Sequence, residues 1–400
     1  MFKGKIPNEV NTIIDLLYSS GYEAYIVGGC VRDLLLGRVP KDFDITTKAL
    51  PTTVIKLFNN TIPIGLKHGT ITVVINDKLF EVTTYRGNEI YTNHRSPDSV
   101  LFIDNLQDDL KRRDFTINAM AYNNKTGLVD IFNGAQDLKN KCIRTIGDAN
   151  TRFTEDSLRM LRAIRFSCEL DFSIYKDTFL AIKKNASKIT NISSERIYSE
   201  FEKALLSDYP KKFMLFHESG LLKYILPILY NNPNTENVLN NALLKLSKSP
   251  KNIDIRLAIL FCNFESDIDD ILHKLRLNNK STKTISTLIS LKNYKFDNNP
   301  LVVKLLINKI GTLMFEKLLD FRKSLDPDTD FSYIYTMYSE IIKRKEPIFL
   351  SDLKITGHDL QGLGISGSNI GCALDYLLKH CLKNPQDNNK DTLINLLKKL

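Results

Sequence analysis

Asp42 and Asp44 stand one residue apart in the run Asp42-Phe43-Asp44-Ile45, where acid and apolar residues alternate. On a strand, that period sends both carboxylates to one face and Phe43 and Ile45 to the other. Two carboxylates on one face can hold two divalent metal ions, the arrangement that phosphoryl chemistry uses. Just upstream lies an apolar run of buried-strand type, residues 24–27, followed by Gly28 and Gly29 and then by residues 30–36 with apolar positions at helical spacing. Strand, glycine turn and helix start together make an anion site, because glycine lets backbone come close and the first-turn N–H groups point outward. Arg32 falls on that first turn, where its guanidinium could reach the same anion. The segment 25–46 is therefore a candidate phosphate cradle beside a candidate metal pair.

Each part has a plainer reading. A double glycine before a helix is common in α/β proteins, and an Asp-x-Asp pair is often a solvated edge. What favours a site is that glycine turn, Arg32-Asp33 and acid pair occur in one short unit that packing does not require. Other candidates lie downstream. Glu81 sits among Phe80, Val82 and Thr84, and either faces water or adds a third carboxylate. Lys111, Arg112, Arg113 and Asp114 form a charged knot that could equally be a charged helix start. Asp156, Arg159, Arg162 and Arg165 step by threes, so on one helix they share a face. A solvated salt-bridge ladder is the plain reading there, although cations outnumber the acid three to one.

The elements that position these residues change character along the chain. A short amphipathic helix in residues 1–20 carries Val10, Ile13, Ile14 and Leu17 on one stripe, and Pro51 opens a helix over 51–58. Residues 62–64, 70–75 and 79–85 are β-branched strands, with Asn76-Asp77-Lys78 as a hairpin turn, so the first 110 or so residues predict a mixed sheet with helices. Residues 86–104 have little periodicity and include His94, Arg95 and Pro97; a loop this long in a compact domain is usually functional or disordered. Residues 132–149 are turn-rich and end the first domain. Beyond them the pattern predicts one helix over 153–166, with Thr154 as N-cap and Leu158, Leu161 and Ile164 on its apolar stripe. Another starts at Ser193-Ser194-Glu195-Arg196, and residues 205–400 read as helical throughout, with amphipathic segments 213–226 and 301–325. His358-Asp359 reads as a capped helix start rather than a metal site. The fold expected is an α+β head followed by an elongated all-α remainder.

Composition sets broad limits. The chain has 400 residues, 43% of them hydrophobic, enough for two or three domains. Its 55 Lys and Arg against 46 Asp and Glu, a formal net charge of +9, suit a polyanionic partner without requiring one. The six scattered cysteines form no C-x-x-C pair, which argues against zinc and for reduced thiols in a cytosol. The start, Met1-Phe2-Lys3-Gly4-Lys5, lacks the apolar core of a signal peptide, and no apolar run approaches membrane-spanning length.

Gly28-Gly29-Cys30-Val31-Arg32-Asp33 followed by Asp42-x-Asp44 resembles the signature of the nucleotidyltransferase superfamily. More narrowly it resembles the class II tRNA nucleotidyltransferases and the bacterial poly(A) polymerases. Asp109-Leu-Lys-Arg-Arg-Asp114-Phe-Thr-Ile-Asn resembles that family's second motif, Glu155-Asp156-x-x-Arg159 a third element, and the segment at Ser193 a fourth. The match is specific from Val27 to Phe166 and, beyond Leu206, rests on length and helical layout. It implies a head over 1–140, a neck over 141–206 with a nucleotide-selecting helix, a body over 207–290 and a tRNA-binding tail over 291–400. It implies template-independent addition of C, C and A to the 3′ end of tRNA from CTP and ATP, in a cytoplasmic enzyme that could be a homodimer. Asp42 and Asp44 would be catalytic and hold two Mg²⁺ ions. Gly29, Arg32 and Arg113 would bind the triphosphate, with Asp114 steadying the sugar or the arginine, and Asp156, Arg159, Arg162 and Arg165 would bind and select the nucleotide. Family members usually carry an acid near Asn93 and a second base near Ser96, so the loop departs from the pattern.

Base selection can be derived from that helix. A carboxylate accepts hydrogen bonds and a guanidinium donates them. Asp156 and Arg159 side by side therefore match the amino donor and ring-nitrogen acceptor shared by cytosine and adenine, and oppose uracil and guanine. Alternatives are an A-only or CC-only enzyme, a bacterial poly(A) polymerase, or a non-catalytic helical RNA-binding protein. The long loop argues against CC-only addition, the missing basic C-terminal extension against the polymerase, and the intact acid and arginine set against the last.

Overall fold

The computed structural model describes residues 2, 4–87 and 101–398. It divides into two compact units, Met1–Leu243 with Asp270–Arg276, and Leu244–Asp269 with Leu277–Leu400.

The first unit opens with helix α1, Asn8–Ser19, which buries Val10, Ile13, Ile14 and Leu17 as the stripe predicted. Strand β1, Ala24–Val27, is buried along its whole length, as its unbroken apolar run requires. Helix α2, Gly29–Leu35, follows the glycine turn. Strand β2 is Ile45–Thr47, helix α3 is Pro51–Leu57 with Pro at its start, and β3 is only Thr61–Ile62. Strands β4, Thr70–Ile75, and β5, Lys78–Thr84, form a hairpin. Its turn residues Asn76 and Asp77 both take positive φ, 51° and 57°, the pairing whose twist matches flanking strands.

The mixed sheet continues past residue 110, which the strand pattern alone did not indicate. Helix α4, Leu106–Lys111, leads to β6, Ala121–Asn123, and β7, Gly127–Val129. All seven strands form one sheet in the order β3-β4-β5-β2-β1-β6-β7. β2 and β5 run parallel and the other neighbours antiparallel. β6 and β7 are three residues each, too short to show a period of two.

The turn-rich stretch 132–149 contains a helix of its own, α5, Gly134–Lys139, and a short strand β8, Cys142–Ile143, that pairs with β9, Ser173–Ile174. The single helix expected over 153–166 is instead two. Helix α6, Ala149–Glu155, is capped by Asp148, and helix α7 runs Leu158–Leu170. Between them Asp156 takes extended geometry, φ −144° and ψ 104°, and its Oδ1 accepts the Leu158 N–H at 3.0 Å. An Asp side chain that offers the next turn a local acceptor competes with helix continuation. Thr154 is thus inside α6, its hydroxyl donating to the Asn150 carbonyl, and caps nothing. Helices α8, Lys176–Asn185, and α9, Ser194–Leu206, complete this part; Ser193 holds the N-cap position of α9 without a side-chain cap bond.

The remaining chain is helical. The segments 213–226 and 301–325 are each broken, at Gly220 and Gly311, both with positive φ. In the second unit Leu353, Ile355, Leu360, Leu377 and Leu393 share a buried cluster. Thr356 and Asp359 form a reciprocal capping box, so His358-Asp359 does open a capped helix. The six cysteines are free thiols. Among the described residues no helix is long and apolar enough to cross a membrane.

Candidate active site

Gly28 adopts φ 80° and ψ −126°, a region that side chains other than glycine rarely enter. A Cβ there would lie 3.0 Å from Arg113 Nη1, so glycine also lets that guanidinium approach the turn. At Gly29 the built Cβ would be 3.7 Å from Arg32 Nη2. Arg32 and Arg113 therefore flank the glycine pair. Arg32 is itself buried and held: Nε donates to Asp33 Oδ1 and Nη1 to Asn118 Oδ1, both at 2.9 Å.

Asp42 and Asp44 lie in the extended segment just before β2, not within it. The Asp44 carbonyl still accepts the Val27 N–H at 3.0 Å, which extends the pairing with β1 past the strand's formal end. The parallel register Ile45↔Val82 then sets Asp44 beside Glu81 across the ladder. Asp42, Asp44 and Glu81 all keep solvent access. Local desolvation, then the charge of Asp42, pushes the Asp44 carboxyl up to about 6; Arg113 pulls it down and Glu81 adds to the rise. Among the described residues no three His, Cys, Asp or Glu side chains converge to cage a metal. Two hard carboxylates that repel one another nevertheless fit Mg²⁺, which protein sites usually hold by one or two carboxylates plus substrate phosphates. Asp42 and Asp44 meet that description.

Arg113 follows the C-terminal end of α4, so the knot at 111–114 ends a helix rather than starting one. Asp114 is buried. Its Oδ1 accepts the Phe115 N–H at 2.8 Å and Asn118 Nδ2 at 3.2 Å, and Oδ2 accepts Arg162 Nε at 2.8 Å. Burial alone would raise its carboxyl, but the charge and hydrogen bond of Arg162 and the other two donors hold it at about 2.

The stepped arginines of α7 are not a solvated ladder. Arg159 Nη1 donates to Glu155 Oε2 at 2.7 Å and to the Arg152 carbonyl at 3.1 Å, while Nη2 reaches the Arg112 carbonyl at 3.2 Å. Arg162 turns to Asp114, and Arg165 donates to Glu200 Oε2 at 2.6 Å and to Glu169. Asp156 lies 3.5 Å from Arg196 and, being off the helix, does not continue the face that the arginines share.

A family model described as the poly(A) polymerase head domain matches residues 24–144, and one described as a probable RNA- and SrmB-binding site of polymerase A matches 171–231. The chain is 39% identical over 286 residues to the CCA-adding enzyme of Staphylococcus aureus strain MRSA252, covering 71% of this chain and 69% of that one. With the CCA-adding enzyme of Ligilactobacillus salivarius strain UCC118 it shares 35% identity over 415 residues, covering 100% of this chain and 99% of the other. The chain belongs to the family of CCA-adding enzymes. Its fold agrees: the crystal structure of the Bacillus stearothermophilus CCA-adding enzyme in complex with CTP superimposes with a TM-score of 0.81 at 31% identity, over 98% of this chain and 97% of that one.

Within this family member, sequence reasoning overlooked four supporting residues. Asp109 is buried and ion-paired to Arg112 and Arg113, a link that its i+3 and i+4 spacing on a helix could have revealed. The links of Asn118 to Arg32 and of Glu200 to Arg165 carry no local signal, since those partners are remote in sequence. Phe166 has Arg165 3.9 Å from its ring centroid and Arg32 and Arg162 each 5.3 Å away, so one aromatic ring gathers three of the arginines. In the 86–104 stretch, Asn93, His94, Arg95, Ser96 and Pro97 lie outside the described residues. Its two ends are paired: Arg86 bridges Phe102, and the Gly87 N–H donates to the Leu101 carbonyl at 2.9 Å.

Proposed function

We infer that this chain adds C, C and A to the 3′ end of tRNA, taking CTP and ATP and releasing pyrophosphate. The observation that carries the reading is the end-to-end match to a CCA-adding enzyme, 100% of this chain at 35% identity. The residue roles that follow are proposals supported by the geometry above. Asp42 and Asp44 would hold two Mg²⁺ ions, which would supply Lewis-acid stabilisation of developing negative charge. Arg32 and Arg113, on either side of the glycine pair, bind the triphosphate with the Gly29 backbone, and their charge offsets that of the leaving group.

Asp156 and Arg159 read the base. A carboxylate has about four acceptor positions, so beside the Leu158 N–H and Arg196 it has room for the amino group of C or A. Arg159 donates to the ring nitrogen. Arg162 ties α7 to the head through Asp114, Arg165 ties it to α9 through Glu200, and together they position the Asp156–Arg159 pair and the triphosphate. The division into head 1–140, neck 141–206, body 207–290 and tail 291–400 belongs to the same reading, with the basic helical part clasping tRNA by backbone and shape. So do a cytoplasmic location, which six free thiols favour, and a homodimer, which light scattering would check. The deciding experiment supplies tRNA lacking its 3′ end, Mg²⁺, and each labelled NTP singly and together. Addition of two C residues from CTP and a final A from ATP is expected; homopolymer growth from ATP alone would instead mark a poly(A) polymerase.

A further inference from the structure

The Asp109 side chain has no exposed surface. Its Oδ1 accepts Arg112 Nε at 2.8 Å and the Arg86 N–H at 3.2 Å. Its Oδ2 accepts the Thr46 hydroxyl at 3.2 Å and faces Arg113 Nη2 at 3.4 Å. Burial would raise this carboxyl, yet the charges of Arg113 and Arg112 and the Arg86 N–H keep it below the usual range. One buried anion thus ties together three parts of the site. Thr46 belongs to β2, just past Asp44. Arg86 follows β5, the strand of Glu81. Arg113 is the guanidinium against the Gly28 turn. Arg113 Nε is buried without a partner, and the ion pair to Asp109 is long, so charge fixes the group more than hydrogen bonding does.

We propose that Asp109 is a positioning residue for the nucleotide: it holds Arg113 against the glycine turn and so sets triphosphate affinity without touching the substrate. The inference rests on the reading of Arg113 as a triphosphate ligand. A cation already held in place loses less freedom when phosphate arrives, and one released from its buried counter-charge turns away to water.

The test is equilibrium binding of CTP, and of pyrophosphate, to the full-length protein in four forms: wild type, Asp109→Asn, Arg113→Ala and the double variant. Arg113→Ala should weaken both ligands by roughly ten- to a hundredfold, and Asp109→Asn by roughly tenfold. The double variant should bind no more weakly than Arg113→Ala alone, because Asp109 acts only through Arg113. Truncated-tRNA affinity should be the same in all four. If Arg113→Ala binds as wild type, the triphosphate reading fails. If it binds weakly but Asp109→Asn does not, or if the two effects multiply, the positioning role is overturned and the reading of Arg113 stands. Where Asp109→Asn does not fold, Asp109→Glu replaces it under the same criteria, since it keeps the charge but displaces it by a methylene.

Discussion

Arg162 sends Nε and Nη2 to a single oxygen of Asp114, at 2.8 and 2.7 Å, and so binds α7 to the segment that follows Arg113. The pair joins residues 48 apart in sequence, and its Asp114 side is buried. Breaking such a pair from one side leaves the other charge without its partner. Asp114→Asn should therefore lower stability by about 1.5–3 kcal/mol in chemical denaturation. It should also slow C and A addition together, because α7 loses its anchor as a whole.

The same residue gives a pH signature. The Asp114 carboxyl is held at about 2 against an ordinary value near 4, so its contribution is complete above pH 4 and lost as pH falls toward 2. Wild type minus Asp114→Asn should be a constant gap near neutrality that closes below pH 4. A gap that stays constant down to pH 2 would show that Asp114 is not depressed in the folded state.

Asp44 should behave in the opposite sense. Its carboxyl is raised to about 6, so the folded protein is destabilised as pH rises from 4 through 6. Asp44→Asn should melt slightly higher than wild type above pH 6 in the absence of metal, and equally below pH 4. The gain is modest because Asp44 keeps solvent access. Mg²⁺ should raise the melting temperature of wild type and leave that of Asp44→Asn unchanged.

Catalysis should depend on both acids. Asp42→Ala and Asp44→Ala should each abolish nucleotide transfer with far-ultraviolet circular dichroism unchanged. Near-normal turnover in either variant would remove the two-metal proposal.

Binding of tRNA should be separable from chemistry. The chain carries a net charge of +9, and log affinity should fall linearly with log salt concentration. Asp44→Ala should keep the same slope, measured by filter binding. A salt-independent affinity would leave the basic surface without a role.

Base choice should follow hydrogen-bond polarity at Asp156. Asp156→Ala removes the acceptor for the amino group of C and A, and with it the penalty against the carbonyl of U and G. That penalty is about 1–3 kcal/mol, one to two decades of discrimination. Single-nucleotide addition with all four NTPs should show C and A falling and U or G rising relative to them. An unchanged ratio with a lower overall rate would assign base reading elsewhere.

Residue order alone carried the glycine turn, the acid pair and the arginine triplet as patterns, because each is defined by the spacing of near neighbours. The apolar stripes of α1 and β1 were legible for the same reason, since burial repeats at the period of the element. The break at Asp156 was not legible. The helices α6 and α7 on either side share one period, and the break between them falls at Asp156, whose backbone is extended and whose Oδ1 accepts the Leu158 N–H. Nor did spacing reveal that Arg162 meets Asp114 and Arg165 meets Glu200. Periodicity tells which residues share a face of one element. Which remote carboxylate that face meets depends on how the elements pack, and at Arg162 and Arg165 that pairing exists only in the folded chain.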